Sequence, residues 1–513
     1  MNSLLNLLPS WVVVLVLLFI GYKFLNFLYE QYLLRKLHCK KPYTMSRSFV
    51  QSINFLRKYL KMNQLERLAD MKTRLDSVPG GTFEFKGFGS TTIITKNVEN
   101  VKAIYATQFG DFDVHDRLEV LGPFLGRSIF TLVDEPWKEC RSILRPQFSR
   151  EQIAHVQALE PHVLTLAKHI RKYNGNPINI QPYFLKYTYD TATEFLFGES
   201  LYSLRDESIG YKPEVELKDT MAFGTAIGTA SRYSSLRAVA KPFYQFVNPK
   251  KYRDACAFVH EFTGRHVQRA LELTPEELEK KSQGGYYILY ELVKATREPK
   301  VIGDQLLSMF LAGRYTTAAT LGFLVLELTR NPEVLDKVKK EVYDNFGSGD
   351  DVNVEEITFE SLKRCTYLKA AISETLRVWP VVPQNYRLSS RNTTLPRGGG
   401  KDGSEPIFVR NGQTVVWLTW AIHRDKDIYG KDADIFRPER WLEPEMRKIG
   451  FAYTPFGGGP RICLGQQFAL TEVSYTAVRL LQLFPNLQAH NQPYPPDIEA
   501  RLGLSLNSVN ITV

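Results

Sequence analysis

Phe456-Gly457-Gly458-Gly459-Pro460-Arg461-Ile462-Cys463-Leu464-Gly465 lies near the end of a 513-residue chain and closes a glycine-rich loop on one cysteine. The five cysteines are widely scattered and no second one lies near Cys463, so a metal or cofactor ligand is a simpler reading than half of a disulfide. Three consecutive glycines let the backbone approach a flat ligand closely, and Arg461 sets a cationic fork two residues before the sulfur. The run from Leu464 to Glu472 reads as helix, which puts Cys463 at a helix N-terminus, where amide N–H groups and the positive dipole end favour thiolate. Two plainer readings compete: an apolar-flanked cysteine as inert packing, and a Gly-rich turn before a helix as a phosphate cradle. Neither the P-loop order nor G-x-G-x-x-G fits the stretch. What it contains is F-x-x-G-x-R-x-C-x-G, completed by Phe456, Gly459, Arg461, Cys463 and Gly465.

That string resembles the haem-binding loop of the cytochrome P450 monooxygenases, in which the cysteine thiolate is the proximal iron ligand. The resemblance implies haem b with Cys463 as axial ligand, Phe456 covering the sulfur, Arg461 paired with a haem propionate and Gly465 in the same cofactor-binding set. Upstream, Trp137 and Arg141 are four apart on a helix opened by Asp134, Glu135 and Pro136, so they share a face. Seen alone they read equally well as an indole packed on an arginine stem; beside the cysteine loop they resemble the family's W-x-x-x-R, whose indole and guanidinium bind a propionate. Arg145-Pro146-Gln147-Phe148-Ser149 continues the resemblance.

Glu374 and Arg377 are three apart, a spacing that usually marks a solvated surface pair of little consequence. With Phe436-Arg437-Pro438-Glu439-Arg440-Trp441 downstream they resemble E-x-x-R and P-E-R, which implies a supporting network of Glu374, Arg377 and Arg440 behind the cysteine loop. By the same resemblance, Arg387 is a second propionate partner and His423 a weaker one. Leu395 to Gly400 reads as a turn, yet the string resembles one found in yeast alkane- and fatty-acid-hydroxylating members. Ala106-Thr107-Gln108-Phe109 and Gly465-Gln466-Gln467-Phe468-Ala469-Leu470-Thr471-Glu472 point to the same subgroup.

The whole composition is that of a globular chain with a sizeable core, and its formal net charge of +10 suits an anionic membrane surface or an acidic partner. Nucleic acid is not expected, because the basic residues are dispersed and no nucleic-acid motif occurs. Leu4 to Leu28, with Lys23 snorkelling, is long and apolar enough to cross a bilayer core of roughly 30 Å. No basic residue precedes it and no small-x-small site follows, which disfavours a cleaved signal peptide. Lys23, Arg35, Lys36, Lys40 and Lys41 all follow the run, so the positive-inside rule puts the body in the cytosol.

In the body, Thr82 to Thr95 alternates around Gly87 and Gly89 as a β-hairpin does, and Asn97 to Thr107 reads as a short helix. Met221 to Ala230 is rich in small residues around Phe223 and, by family position, lines a substrate channel. Thr274-Pro275-Glu276-Glu277 has the form of a capping box. Gly303 to Asn331 reads as a long helix, apolar on both sides, which the resemblance lays across the distal face of the haem. Its middle, Ala312-Gly313-Arg314-Tyr315-Thr316-Thr317, resembles A-G-x-D/E-T-T, with Ala312 and Gly313 leaving room at the cofactor and Thr316 as the oxygen-activation residue. Tyr315 replaces the acid, and a phenol with a pKa near 10 is a poorer proton shuttle than a carboxyl group.

The resemblance implies a mainly α fold, the family's helical prism with a small β-rich region, behind one N-terminal transmembrane helix. Residues 1–42 form the anchor and linker and 43–513 the haem-thiolate monooxygenase domain. It further implies hydroxylation of long-chain aliphatic substrates, n-alkanes or fatty acids, at or near the chain terminus. Oxygen and NADPH-derived electrons are the co-reactants, the electrons arriving from a separate flavoprotein reductase at the endoplasmic reticulum membrane. Tyr315 keeps a second class open, a haem-thiolate isomerase or dehydratase acting on a lipid hydroperoxide. A non-catalytic haem carrier is disfavoured, since an alcohol-bearing distal helix serves no purpose there. A cytosolic body leaves the acceptor patterns Asn392-Thr393-Thr394 and Asn510-Ile511-Thr512 unglycosylated, so endoglycosidase leaves the protein's mobility unchanged; a shift reverses the orientation.

Overall fold

The computed structural model describes residues 10–46, 49–87, 90–149, 155–212, 217–240, 243–283, 287–349, 352–501, 505–508 and 511–512. The first nine residues of the chain, Gly89 of the expected hairpin turn and Asn510 of the second acceptor pattern lie outside them. The chain divides into two units: Met1–Arg57, Met71–Asp113 and Tyr386–Trp417 form one, and Lys58–Asp70, Val114–Asn385 and Leu418–Val513 the other.

The first unit begins with the helix Ser10–Lys36, 27 residues long. At about 1.5 Å per residue it measures about 40 Å, more than a bilayer core requires. Its apolar side chains, Trp11, Leu15, Phe19, Phe24 and Leu25 among them, are exposed, as lipid contact demands. Arg35 and Lys36 close it, where cations complement the C-terminal dipole. Its last turns are not a free tether. Leu34, Cys39 and Phe408 form a buried cluster with Leu33 packed against it. Arg410 grips Glu30 with two bonds, Nη2 to Oε1 at 2.6 Å and Nε to Oε2 at 3.1 Å, while its Nη1 reaches Glu84 at 3.2 Å. Lys40 bridges to Ile407 and Pro42 to Gly399, so the expected linker is strand-paired.

Strands β1 (Tyr43–Ser46), β2 (Thr82–Gly87), β3 (Ser90–Thr95), β4 (Phe112–Asp113), β5 (Asn385–Ser389) and β8 (Thr414–Trp417) form a sheet in the order β1-β2-β3-β8-β5-β4. β6 (Thr393–Gly399) and β7 (Glu405–Val409) pair separately. The alternation in Thr82–Thr95 does give antiparallel β2 and β3, Thr82 opposite Thr95. Asn97 caps the helix Val98–Lys102 through the amides of Glu99 and Asn100, and the chain then winds into a five-residue π-turn, Ala103–Thr107. Leu395–Gly399 is strand rather than the expected turn. Its glycines serve close approach: a Cβ at Gly398 would lie 2.7 Å from Thr82, and one at Gly399 2.6 Å from the Pro406 carbonyl. Buried Asn100 brackets Arg397 from both sides, accepting its N–H at 2.9 Å and donating to its carbonyl at 3.0 Å.

The second unit is helical around Pro299–Arg330, whose 32 residues begin four earlier than expected because Pro299 suits a first turn. Helices Gln181–Phe197, Lys250–Leu271, Thr366–Val378 and Gln466–Leu483 pack on it. Within Met221–Ala230, Phe223 is fully buried, stacked on Phe262 at 4.1 Å with Phe310 at 5.7 Å, while Gly224, Thr225, Gly228 and Thr229 keep accessible surface. Thr274 and Glu277 close the expected capping box reciprocally. Replacing Arg410 by Met removes both bonds to Glu30, and the segment Lys36–Lys41 then becomes severalfold more sensitive to trypsin; unchanged cleavage assigns the docking to the apolar cluster alone.

Candidate active site

The cysteine loop is shaped by its backbone. Gly457 and Gly459 hold φ of 75° and 63°, the left-handed region that L side chains avoid. Gly457 N–H donates to the Thr454 carbonyl at 3.1 Å and Cys463 N–H to that of Phe456 at 3.0 Å, which closes the turn and sets the sulfur two residues before Gly465, the N-cap of Gln466–Leu483. Cys463 has accessible surface, yet loss of hydration is the largest influence on its thiol. Burial pushes its pKa up, against the Gly465 N–H and the positive charge of Arg141. Burial thus opposes the helix terminus and the Arg141 charge, which both favour the thiolate that the sequence suggests.

Beside the sulfur stands a cationic cluster. Trp137, on the helix Asp134–Leu144, lies beneath two guanidinium groups, Arg461 at 4.2 Å and Arg141 at 5.8 Å from the ring centroid. Arg461 donates to the Leu132 carbonyl at 3.0 Å and Arg141 to that of Ile462 at 3.1 Å, so these bonds hold both cations by carbonyl oxygens. Cys140, between them in sequence, turns inward and donates to Gln305 at 3.0 Å; burial pushes its thiol up to about 12.

Behind the loop Glu374, Arg377 and Arg440 meet with essentially no solvent exposure. Arg377 binds Glu374 as a two-pronged fork, both bonds 2.8 Å, and Arg440 Nε donates to Oε1 at 3.0 Å. Trp441 Nε1 at 2.9 Å and the Arg437 amide at 2.9 Å complete the carboxylate's shell; sequence spacing gave no sign of either. The spare guanidinium N–H groups reach out to backbone. Arg377 holds the carbonyls of His423, Ala433 and Ile435, and Arg440 those of Tyr429 and Asp432. One carboxylate thus fixes the whole segment leading into the cysteine loop.

In the central helix, Leu306–Ser308 and Thr317–Thr329 are buried, while Met309, Ala312, Gly313 and Thr316 keep accessible surface. Their spacing puts them on one face, while Arg314 keeps accessible surface on another side of the helix. Thr316 Oγ1 donates to the Ala312 carbonyl at 2.7 Å. Tyr315 is not on the face that carries Thr316. It is buried, and its hydroxyl accepts from Arg314 Nη1 at 3.3 Å. The Arg314 guanidinium lies 4.7 Å from the Tyr189 ring and 4.8 Å from that of Tyr315.

His423 is wholly enclosed. Its Nε2 accepts the Thr454 N–H at 3.1 Å, and burial with the nearby Arg377 and Arg424 charges pushes its pKa down to about 3, so it is neutral. Arg387, in the other unit, is buried on β5, 5.5 Å over the Trp417 ring, and donates to the Tyr386 carbonyl at 2.8 Å.

These residues fit a haem: a single exposed sulfur, an indole and two guanidiniums beside it for an anionic edge, and a helix face with small side chains at Ala312 and Gly313. Residues 49–513 match the model of the family described as cytochrome P450. Cytochrome P450 52A12 of Debaryomyces hansenii is 50% identical over 493 residues, 96% of this chain and 95% of the relative. Cytochrome P450 52A1 of Candida tropicalis is 54% identical over 427 residues, 83% and 78% of the two chains. A crystal structure of the cytochrome P450DA heme domain superposes with a TM-score of 0.69 at 21% identity, covering 89% of this chain and 92% of that one, which shows the shared fold. The Glu374 network predicts a sharp mutational cost. Glu374→Gln leaves two buried guanidiniums underpaired and lowers stability by about 3–5 kcal/mol, read from the urea midpoint, with loss of bound haem after expression.

Proposed function

This chain belongs to the cytochrome P450 family, and on that premise we propose that it is a membrane-held monooxygenase hydroxylating n-alkanes or fatty acids at or near the chain terminus. The observation that carries the reading is the open stripe Met309, Ala312, Gly313 and Thr316, apolar apart from one hydroxyl that is already bonded to its own helix. A polymethylene chain can lie there without stranding a polar group. The strings shared with yeast alkane- and fatty-acid-hydroxylating members support the same substrate class.

In this reading Cys463 would hold the haem iron through its sulfur, with the Gly465 N–H and Arg141 tempering the charge there. Phe456 shields it, and Trp137, Arg141 and Arg461 hold a propionate. Bound haem supplies oxygen activation and insertion into an unactivated C–H bond, with thiolate donation favouring O–O cleavage. Ala312 and Gly313 leave space beside the cofactor. Thr316 holds protons: with its own hydrogen on the Ala312 carbonyl, its oxygen can accept from a water in the open space. Tyr315 braces Arg314 rather than facing the stripe, so the acid's relay is replaced by water at Thr316, at some loss of coupling. Electrons come from NADPH through a flavoprotein reductase docked on the basic face beside Cys463, to which exposed Arg145 contributes. The helix Ser10–Lys36 makes a single pass through the endoplasmic reticulum membrane, with both units on the cytosolic side.

The test is turnover of the membrane-bound protein with reductase on a panel of alkanes and fatty acids, measuring product and released peroxide per NADPH. Strict dependence on NADPH and oxygen is expected; product from a lipid hydroperoxide without reductase overturns the reading in favour of an isomerase or dehydratase. Tyr315→Asp raises the product-to-peroxide ratio, and an unchanged or lower ratio removes position 315 from proton delivery.

A further inference from the structure

Glu472 is a buried carboxyl that the haem-thiolate reading leaves unused. It lies on the helix Gln466–Leu483, whose N-cap Gly465 follows Cys463 by two residues, and it is 2% exposed. Packing fixes its place. Thr191 Oγ1 donates to Glu472 Oε1 at 2.6 Å, and one turn nearer the cysteine loop Phe195 stacks on Phe468 at 4.3 Å, so Gln181–Phe197 runs antiparallel along this helix. Phe148, 6.1 Å from Phe195, carries the contact on to Gly465, where a Cβ would lie 3.6 Å from its ring. Nine residues, about 13 Å at a helical rise, separate Glu472 from Cys463.

Its partners do not match its charge. Glu160, one turn further on, takes Arg479 Nη2 at 2.7 Å and Nε at 2.9 Å, with the Tyr475 hydroxyl at 2.7 Å. Glu472 has one hydroxyl donor and, among the described residues, no cation bonded to it. The charge that acts on it is that of His162, on the helix Glu160–Arg171, and that ring is engaged by Glu194, Nε2 to Oε2 at 2.6 Å. Asp190 feels the same imidazole and accepts the amides of Ser203 at 2.6 Å and Leu204 at 2.9 Å. Tyr187 also faces Glu472, its hydroxyl bonded to that of Thr476 at 2.8 Å, and Tyr287 stands beside Glu194. The other helices packed on Gln466–Leu483 bring no charge to bear on it among the described residues. Three carboxyls thus share one histidine, and burial pushes that of Glu472 up to about 7, where a small change in nearby charge decides whether it holds a proton. Glu194, its side chain 31% exposed, gives the cluster an edge in water.

We propose that Glu472 takes up a proton from solvent when the iron held by Cys463 accepts an electron. The inference rests on the haem-thiolate reading of the Cys463 loop and adds Glu472, Thr191 and His162 to it. The step balances: ferric iron gains one electron from the reductase and becomes ferrous, while the Glu472 carboxylate gains one proton, entering past Glu194 and His162, and becomes a neutral carboxyl. The link is electrostatic. Unit charges about 13 Å apart, at an effective dielectric constant of about 20, change a proton affinity about tenfold. Glu472 is a positioning residue for charge, acting through the field at the iron and touching no reacting atom.

The test follows the reduction potential of the full-length holoenzyme by spectroelectrochemistry from about pH 6 to about pH 9. Reduction raises the proton affinity of Glu472, so the potential falls as pH rises through a window that opens at about 7 and closes about one unit higher, and is flat on either side. The whole fall is about tenfold in the reduction equilibrium, about 59 mV for one electron. Glu472→Gln, which keeps an acceptor for Thr191 and imitates the protonated carboxyl, abolishes the fall and holds the potential at the wild type's low-pH value. Thr191→Val withdraws the hydroxyl that favours the carboxylate, so the window moves to higher pH. Within the window, the redox-induced infrared difference spectrum of the wild type gains a protonated-carboxyl C=O band on reduction. A flat wild-type potential overturns the proposal, and so does a fall that survives in Glu472→Gln. If Glu472→Gln does not fold, the Thr191→Val window and the infrared band decide, and an unmoved window or a missing band overturns it. The red-shifted CO band of the reduced protein reports separately on the Cys463 reading: its absence in the wild type removes the premise, and its presence beside a flat potential removes this proposal alone.

Discussion

The carboxylate of Glu374 is the constraint on which the rest of the second unit depends. It sits in a region with no solvent access and accepts from two guanidiniums, an indole and an amide. Desolvating these charges is expensive, and the cost is offset only because the fork of Arg377 is satisfied on every side. Its outer N–H groups hold the carbonyls of His423, Ala433 and Ile435, so a local ion pair becomes a clamp on chain more than forty residues away. That chain ends in the cysteine loop. The position of the sulfur is thus inherited from a charge cluster that performs no chemistry.

Much of this was legible in the sequence, for a physical reason. Residues whose geometry is set by bonding at fixed spacing, such as Glu374 with Arg377 or Trp137 with Arg141, leave a short pattern, and the structure brings each pair together. The turn assigned to Leu395–Gly400 shows the limit. Glycine there answers to neighbouring strands far away in sequence, and local turn chemistry cannot distinguish close approach from reversal. Trp441 and the Arg437 amide escaped because their bonds to Glu374 cross more than sixty residues. The burial of Phe223 was illegible for the same reason: it is decided by Phe262 and Phe310, contributed by other helices.

The helix Pro299–Arg330 turns neighbouring residues to different surroundings. Thr316 lies on the open stripe, whereas Arg314 and Tyr315 turn into the packing with Tyr189. Guanidinium between phenol rings is a stable arrangement in a poorly hydrated setting, since the ring faces offer negative potential without a second full charge. Tyr315 thus serves the packing around Arg314 rather than the face that carries Thr316.

The junction between Glu30 and Arg410, reinforced by the strand bridges of Lys40 and Pro42, has a consequence for lipid dependence. A helix longer than the hydrocarbon thickness adapts by tilting. A hinge at its end would absorb that tilt; a two-pronged bond beside a buried apolar cluster transmits it. The end of the helix and the strands that Arg410 and Glu84 belong to are thus coupled by the Glu30–Arg410 pair rather than joined by a free hinge.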